Sequence, residues 1–178
     1  EQERLRRLAL SAVGNPAAIS SDELQNAFLA AKDAGKVGHF GISTHKRADA
    51  CLRAAAESGN YSLAMIALTP GGWYDWDSKA LRDGTASLKD LQAELQAARD
   101  AGIGLVGMKA ARFIAPALAL GKGDPTGFDQ FYPADYLQND LSPFQRSYIY
   151  VLQHGVDVMN SDMQNFKHFE ENVIAEKT

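Results

Sequence analysis

Four times in this chain a helix-forming stretch ends in a glycine and gives way at once to an apolar run. Residues 30–35 (AAKDAG) lead into 37–42, residues 54–59 into 63–68, residues 97–102 (AARDAG) into 103–108, and residues 151–155 into 156–159. A glycine just past a helix supplies the left-handed C-cap, because it alone takes positive φ without a Cβ clash. An apolar run of about six residues bounded this way predicts a strand buried on both faces. Helix, glycine, buried strand and helix again predict a parallel α/β sheet. Such sheets carry their chemistry at the C-terminal ends of the strands, so the rim is where functional residues are sought.

The 178 residues fit one folded domain, preceded by an adaptor segment over 1–21 that contains a short basic helical stretch around Arg4, Arg6 and Arg7 and then Gly14-Asn15-Pro16. Ser20 with Glu23 reads as a capping box for a helix with the stripe Leu24, Ala27, Phe28 and Ala31. Further helices are predicted over 46–58, 87–101, 142–154 and about 165–174, with Pro143 in the first turn of the fourth. The near-identity of 30–35 and 97–102 fits an internal repeat or convergence on good helix formers with a glycine stop.

Hydrophobic residues make up 46% and charged residues 22%, as in ordinary globular domains. A net charge of −4 gives no electrostatic case for nucleic acid or an anionic membrane, and no apolar run is long enough to span one. Cys51 stands alone on an apolar helix face with Ala48, Leu52 and Ala55, which predicts a packed thiol and rules out a disulfide framework. His39, His45, His154 and His168 lack metal-ligand spacing, so no metal site is expected; His39, mid-strand, reads as a core or interface residue. The sequence starts at Glu1, which leaves open a removed leader or a longer parent chain. The compartment stays open with it, the cytoplasm being the default.

Polar groups appear where each apolar run stops: Ser43-Thr44-His45, Thr69-Pro70, Lys109, and Asn160-Ser161-Asp162. Thr44 fits a helix cap as well as a ligand role. Two long connections, 69–86 with Gly71-Gly72-Trp73-Tyr74-Asp75-Trp76 and 110–141, follow strands and so lie at the same rim. The tryptophans fit either a plug for the sheet's end or a stacking surface for a ligand.

The segment Gly35-Lys36-Val37-Gly38-His39-Phe40-Gly41-Ile42-Ser43-Thr44-His45 resembles the region around the fifth strand of aldo-keto reductases. Ala101-Gly102-Ile103-Gly104-Leu105-Val106-Gly107-Met108-Lys109 is similar to their seventh strand, and the stretch from Gly155 to His168-Phe169-Glu170-Glu171-Asn172 to their eighth strand and following helix. The resemblance covers about residues 22–175. It implies a parallel (β/α) half-barrel over 22–178, part of a TIM-barrel-like architecture that uses NADPH without a Rossmann glycine motif. On that reading Ser43 and His45 face the nicotinamide carboxamide, with Thr69 at the sixth-strand end, and Trp73 or Tyr74 stacks on the nicotinamide ring. The loop after Lys109 covers the pyrophosphate, Ser161 to Gln164 lie near the adenosine phosphate, and Glu171 and Asn172 near the adenine.

Thr69 stands where the family often has Asn or Gln, and Asn160-Ser161 where it commonly has Pro-Gly or Pro-Lys, which implies weak cofactor binding. The family's catalytic Asp, Tyr, Lys and His come from strands with no counterpart here, so binding without reductase turnover is expected. No spacing supports Lys109 with Tyr132, Tyr136 or Tyr148 as a substitute pair. Four βα units cannot close a ring, and inward-facing Phe40, Ile42, Met65, Ala67, Leu105 and Met159 would then lie bare. Self-association or a complementary half-barrel is therefore expected. The rival reading is a non-catalytic or repurposed dimerising half-barrel that uses Trp73, Trp76, Lys109 and Arg112 for another small molecule or partner, with hydrolytic chemistry left open.

Overall fold

A computed structural model describes residues 8–12, 14–115, 123–161, 163 and 166–176. The expected basic stretch at Arg4, Arg6 and Arg7, and Gln164, lie outside them. The elements run β1 (Leu8–Ala12), α1 (Pro16–Ile19), α2 (Asp22–Asp33), β2 (His39–Thr44), α3 (Ala48–Ser58), β3 (Leu63–Thr69), β4 (Gly72–Asp75), β5 (Ala80–Leu81), α4 (Gln92–Asp100), β6 (Gly104–Met108), α5 (Pro143–His154), β7 (Val158–Met159) and α6 (Phe166–Glu176). A 3₁₀ turn, Leu88–Leu91, leads into α4.

The fold is α/β. Strands β1, β2, β3, β6 and β7 lie side by side in that order, all parallel, in a sheet that does not close. Among the described residues, the antiparallel pairings are those of β4 with the end of β3 and of β4 with β5, a hairpin branching from the sheet.

Three of the four glycines cap as expected: Gly35, Gly59 and Gly102 have φ of 68°, 68° and 81°. The two similar hexapeptides end identically. Lys36 N–H donates to Ala31 O and Gly35 N–H to Lys32 O, and Ile103 N–H donates to Ala98 O and Gly102 N–H to Arg99 O, the paired bonds of a Schellman turn. Gly155 differs, with φ of −137°. Its glycine is needed for close approach, since a Cβ there would stand 2.9 Å from Leu88 Cδ1 and 3.0 Å from Leu68 Cδ2.

Several sequence expectations change. Residues 8–12, inside the supposed adaptor, form an edge strand paired with β2, and Ile19 of α1 is fully buried, its carbonyl accepting from Tyr61 Oη at 2.9 Å. Ser20 closes α1 instead of opening α2, whose N-cap is Ser21 without a side-chain bond. Ser142 does form a full capping box with Gln145 at the start of α5. His39 is exposed at the start of β2.

The register also divides the apolar strand residues differently. Ile42 pairs with Ala64 and Ala64 with Leu105, so these share one face with Phe40, Ile66 and Leu68. That face packs on Phe28 of α2, Ala48, Cys51, Leu52 and Ala55 of α3, Leu95 and Ala98 of α4, and Val151 of α5. Phe40, Ile42 and Leu105 are thus covered by the chain's own helices, and Met159 packs there too, against Gly107. Only Met65 and Ala67 of the expected inward set lie on the opposite face, in a small cluster with Met108, Tyr74 and Phe113. Cys51 is fully buried, its Sγ 3.7 Å from Lys46 O, and burial pushes its thiol pKa up, as a packing role requires.

Candidate functional site

On the face away from that helix layer, at the C-terminal ends of the strands, lies a cleft of about 760 Å³. Ser43 (β2) pairs with Met65 (β3), Met108 (β6) lies on the same face paired with Ala67 of β3, and Asn160 and Ser161 follow β7. The cleft meets the rim as expected for a parallel sheet. Phe144 and Tyr148 of α5 and His168 of α6 form the far wall.

Each strand end is fixed by local bonds. Buried Thr44 donates through Oγ1 to Lys46 O at 2.8 Å and accepts from Lys46 N–H at 3.3 Å, a turn that brings the chain past His45 into α3. Thr44 is therefore a structural turn residue. After β6, Lys109 stands at φ of 73°, a left-handed conformation that a residue with a Cβ adopts at a cost. The following turn is pinned to α5 by fully buried Ser147, whose Oγ donates to Ala110 O at 2.8 Å. After β7, Ser161 Oγ accepts from Asn172 Nδ2 at 3.0 Å, tying α6 to the sheet. Glu171 also anchors α6: its carbonyl accepts from Gln145 Nε2 at 3.1 Å and its carboxylate from Ser142 Oγ at 3.3 Å.

The charge of the cleft is one-sided. Lys109 and Arg112 line it, and no carboxylate does among the described residues, although the protein carries a net −4. His45 registers that field. Burial, then the nearby Lys109 and Lys79 ammonium groups, lower its pKa below the ordinary imidazole value, which favours the neutral ring. Arg112 is steadied by Nε donating to Tyr74 Oη at 3.4 Å.

Of the residues singled out from sequence, Ser43, His45, Lys109 and Ser161 line this one cleft, and Glu171 and Asn172 adjoin it beside Phe144, Tyr148 and His168. Thr69, Trp73 and Tyr74 do not line it. Thr69 is fully buried, its Oγ1 donating to Gly72 O at 3.0 Å, which closes the hairpin's first turn. Trp73 is buried in the helix-side core, where it plugs the sheet end. Tyr74 is buried on the other face over Ala67 and Met108. The indole at the cleft's edge is Trp76, 38% exposed, its ring 5.2 Å from that of His45.

Sequence reasoning did not place Phe144, Tyr148 or His168 among the site residues, although it weighed Tyr148 beside Lys109. The first two share a helical stripe with Val151 and Leu152 and so read as core, which Val151 is. The α5 stripe divides, its first turns facing the cleft.

Ser43 and His45 share the cleft, but with no carboxylate lining it a Ser-His-acid relay is not assembled among the described residues. No described cluster of His, Cys, Asp or Glu could hold a metal. Of the three tyrosines weighed beside Lys109, Tyr148 lines the cleft with it, whereas Tyr132 and Tyr136 do not, and burial pushes the phenols of those two up, Tyr136 to about 12, opposite to what a general acid requires. No described helix is long and apolar enough to cross a membrane.

Compared with known proteins, the chain matches no family model, no curated protein and no solved structure.

Proposed function

We propose that this chain is the C-terminal, cofactor-facing half of an aldo-keto-reductase-like protein, a parallel half-barrel whose cleft takes NADPH. The observation that carries the reading is the cleft itself, a pocket bearing Lys109 and Arg112, with no carboxylate among its described lining residues, at the C-terminal rim of parallel strands. Its donor set suits a phosphate-bearing ligand: Lys109 and Arg112 for charge, Ser43, Ser161 and Asn160 for hydrogen bonds, and Met65, Met108 and Phe144 for a planar ring. Ser43 and His45 would hold the carboxamide end, Lys109 and Arg112 the phosphates, and Ser161 with Asn172 the adenosine end.

NADPH, when bound, supplies a hydride to a carbonyl carbon. The proton for the carbonyl oxygen must come from a general acid, and the strands that carry the family's Asp, Tyr, Lys and His have no counterpart in this sequence. The chain alone therefore binds and orients without turning over, and a completed barrel would be the carbonyl reductase. Titration of NADPH, followed by its own fluorescence, is expected to saturate, and carbonyl substrates to leave absorbance at the reduced-nicotinamide band unchanged. Lys109→Ala removes one charge-assisted contact, about 1.5 kcal/mol or roughly a tenfold rise in Kd. A fluorescence response that stays linear in protein would refute the reading.

Self-association forms the second reading, and a specific observation favours it. Val158, Met163, Phe166 and Phe169 are 56%, 49%, 85% and 49% exposed along one short stretch of chain, beside the two-residue edge strand β7. Large apolar groups gathered at a sheet edge invite a covering surface. Light scattering after size exclusion is expected to give a mass above 19.3 kDa, reduced by Phe166→Ser with Phe169→Ser; a monomer at high concentration rejects it.

A further inference from the structure

The β4–β5 hairpin is rooted firmly and held at its tip weakly. At the root, Trp73 and Tyr74 are buried and Thr69 bonds Gly72. At the tip, four contacts reach across to the cleft's rim: Trp76 N–H to His45 O at 3.3 Å, the Trp76 ring 5.2 Å from that of His45, an exposed Lys46–Asp77 ion pair at 2.6 Å, and the Lys109 ammonium 5.0 Å from the centre of the Trp76 ring. Lys79, from the hairpin itself, sits 3.2 Å from the same ring centre. Few buried contacts and solvent-facing bonds mark a segment that opens ahead of the rest of the fold.

Lys109 belongs to both structures, since it lines the cleft and touches the indole. A hydrogen bond from an ammonium to a phosphate oxygen is worth more than an exposed cation–π contact, so an anion in the cleft outcompetes the ring. We propose that the hairpin is a ligand-sensitive strap, clasped to the cleft by Lys109 against Trp76 and released when a phosphate group takes the lysine. The inference uses the anion-binding part of the cofactor reading but not the nicotinamide. Lys79 travels with the indole, so release carries a second cation away from His45 and leaves the ligand held by the cleft's own residues.

Acrylamide quenching of tryptophan emission tests this, with Trp76→Phe reporting the Trp73 background and far-ultraviolet circular dichroism confirming that each variant folds. Lys109→Met is expected to raise quenching of the Trp76 component by roughly two- to fivefold, the factor that one exposed cation–π contact represents, while Lys109→Arg keeps the wild-type value. Inorganic pyrophosphate added to the wild type is expected to produce the same saturable rise, absent in Trp76→Phe. Unchanged quenching in Lys109→Met overturns the proposal, as does pyrophosphate that leaves Trp76 unaffected, whether or not calorimetry detects it bound. If pyrophosphate releases the strap and NADPH gives no saturable binding, the strap stands and the cofactor reading falls.

Discussion

Phe40→Ala is expected to cost about 3–5 kcal/mol, a large share of the 5–15 kcal/mol that holds a domain together. Phe40 is 4% exposed and lies between two rings, Phe28 at 4.1 Å and Tyr61 at 4.6 Å, both nearly parallel to it. Truncation removes the transfer energy of the ring and leaves a cavity walled by α2 and the loop before β3, which cannot collapse without moving the sheet. Urea unfolding followed by circular dichroism measures the loss. The same substitution at Met65, half-buried on the cleft face, is expected to cost far less, since solvent already reaches that site. Equal losses at the two positions would contradict the division of the sheet into a helix-covered face and a cleft face.

Gly72→Ala carries the second large effect. Gly72 has φ of 105°, and a Cβ there would stand 2.1 Å from Ala86 O and 2.6 Å from Thr85 Oγ1, which accepts the Trp73 N–H bond at 3.0 Å. The left-handed backbone alone costs an alanine ~1–3 kcal/mol, and the backbone clash adds to it because a carbonyl in a tight turn cannot swing aside. The hairpin root then shifts and takes Trp76 with it. A loss of at least about 2 kcal/mol in urea, with altered tryptophan emission, is the expected result. Stability within ~0.5 kcal/mol of wild type, the range of an ordinary surface change, would show that the root is not fixed as described.

Much of the fold is legible in the sequence because glycine's freedom of φ is a local property. Gly35, Gly59 and Gly102 mark helix ends wherever their neighbours lie, and the strands they introduce follow. Gly155 shows the limit: its small size serves a tertiary contact with Leu68 and Leu88, which no local pattern contains. The faces of the strands were not legible for a related reason. A run such as Leu63-Ala64-Met65-Ile66-Ala67-Leu68 is apolar throughout, so it has no alternation from which inside and outside can be read. Residues 8–12 hide as a strand because alanine and leucine favour helix when taken alone, and pairing with β2 overrides that preference.

The site divides in the same way. Ser43, His45, Lys109 and Ser161 are legible because a parallel sheet brings the ends of its strands to one rim. Thr69, Trp73 and Tyr74 are not brought with them, since the chain doubles back at Gly71-Gly72 and buries all three in the hairpin's root.

The order of the parallel strands across the sheet is also their order along the chain. During synthesis each new strand meets a neighbour that has already left the ribosome, so assembly can proceed from one side without waiting for distant segments. Helix α6, which bears His168 and Asn172 and docks on α5, comes late in that sequence. The pocket is thus finished only once α6 has followed the strands, and whatever it holds acts as a clasp between that helix and the sheet.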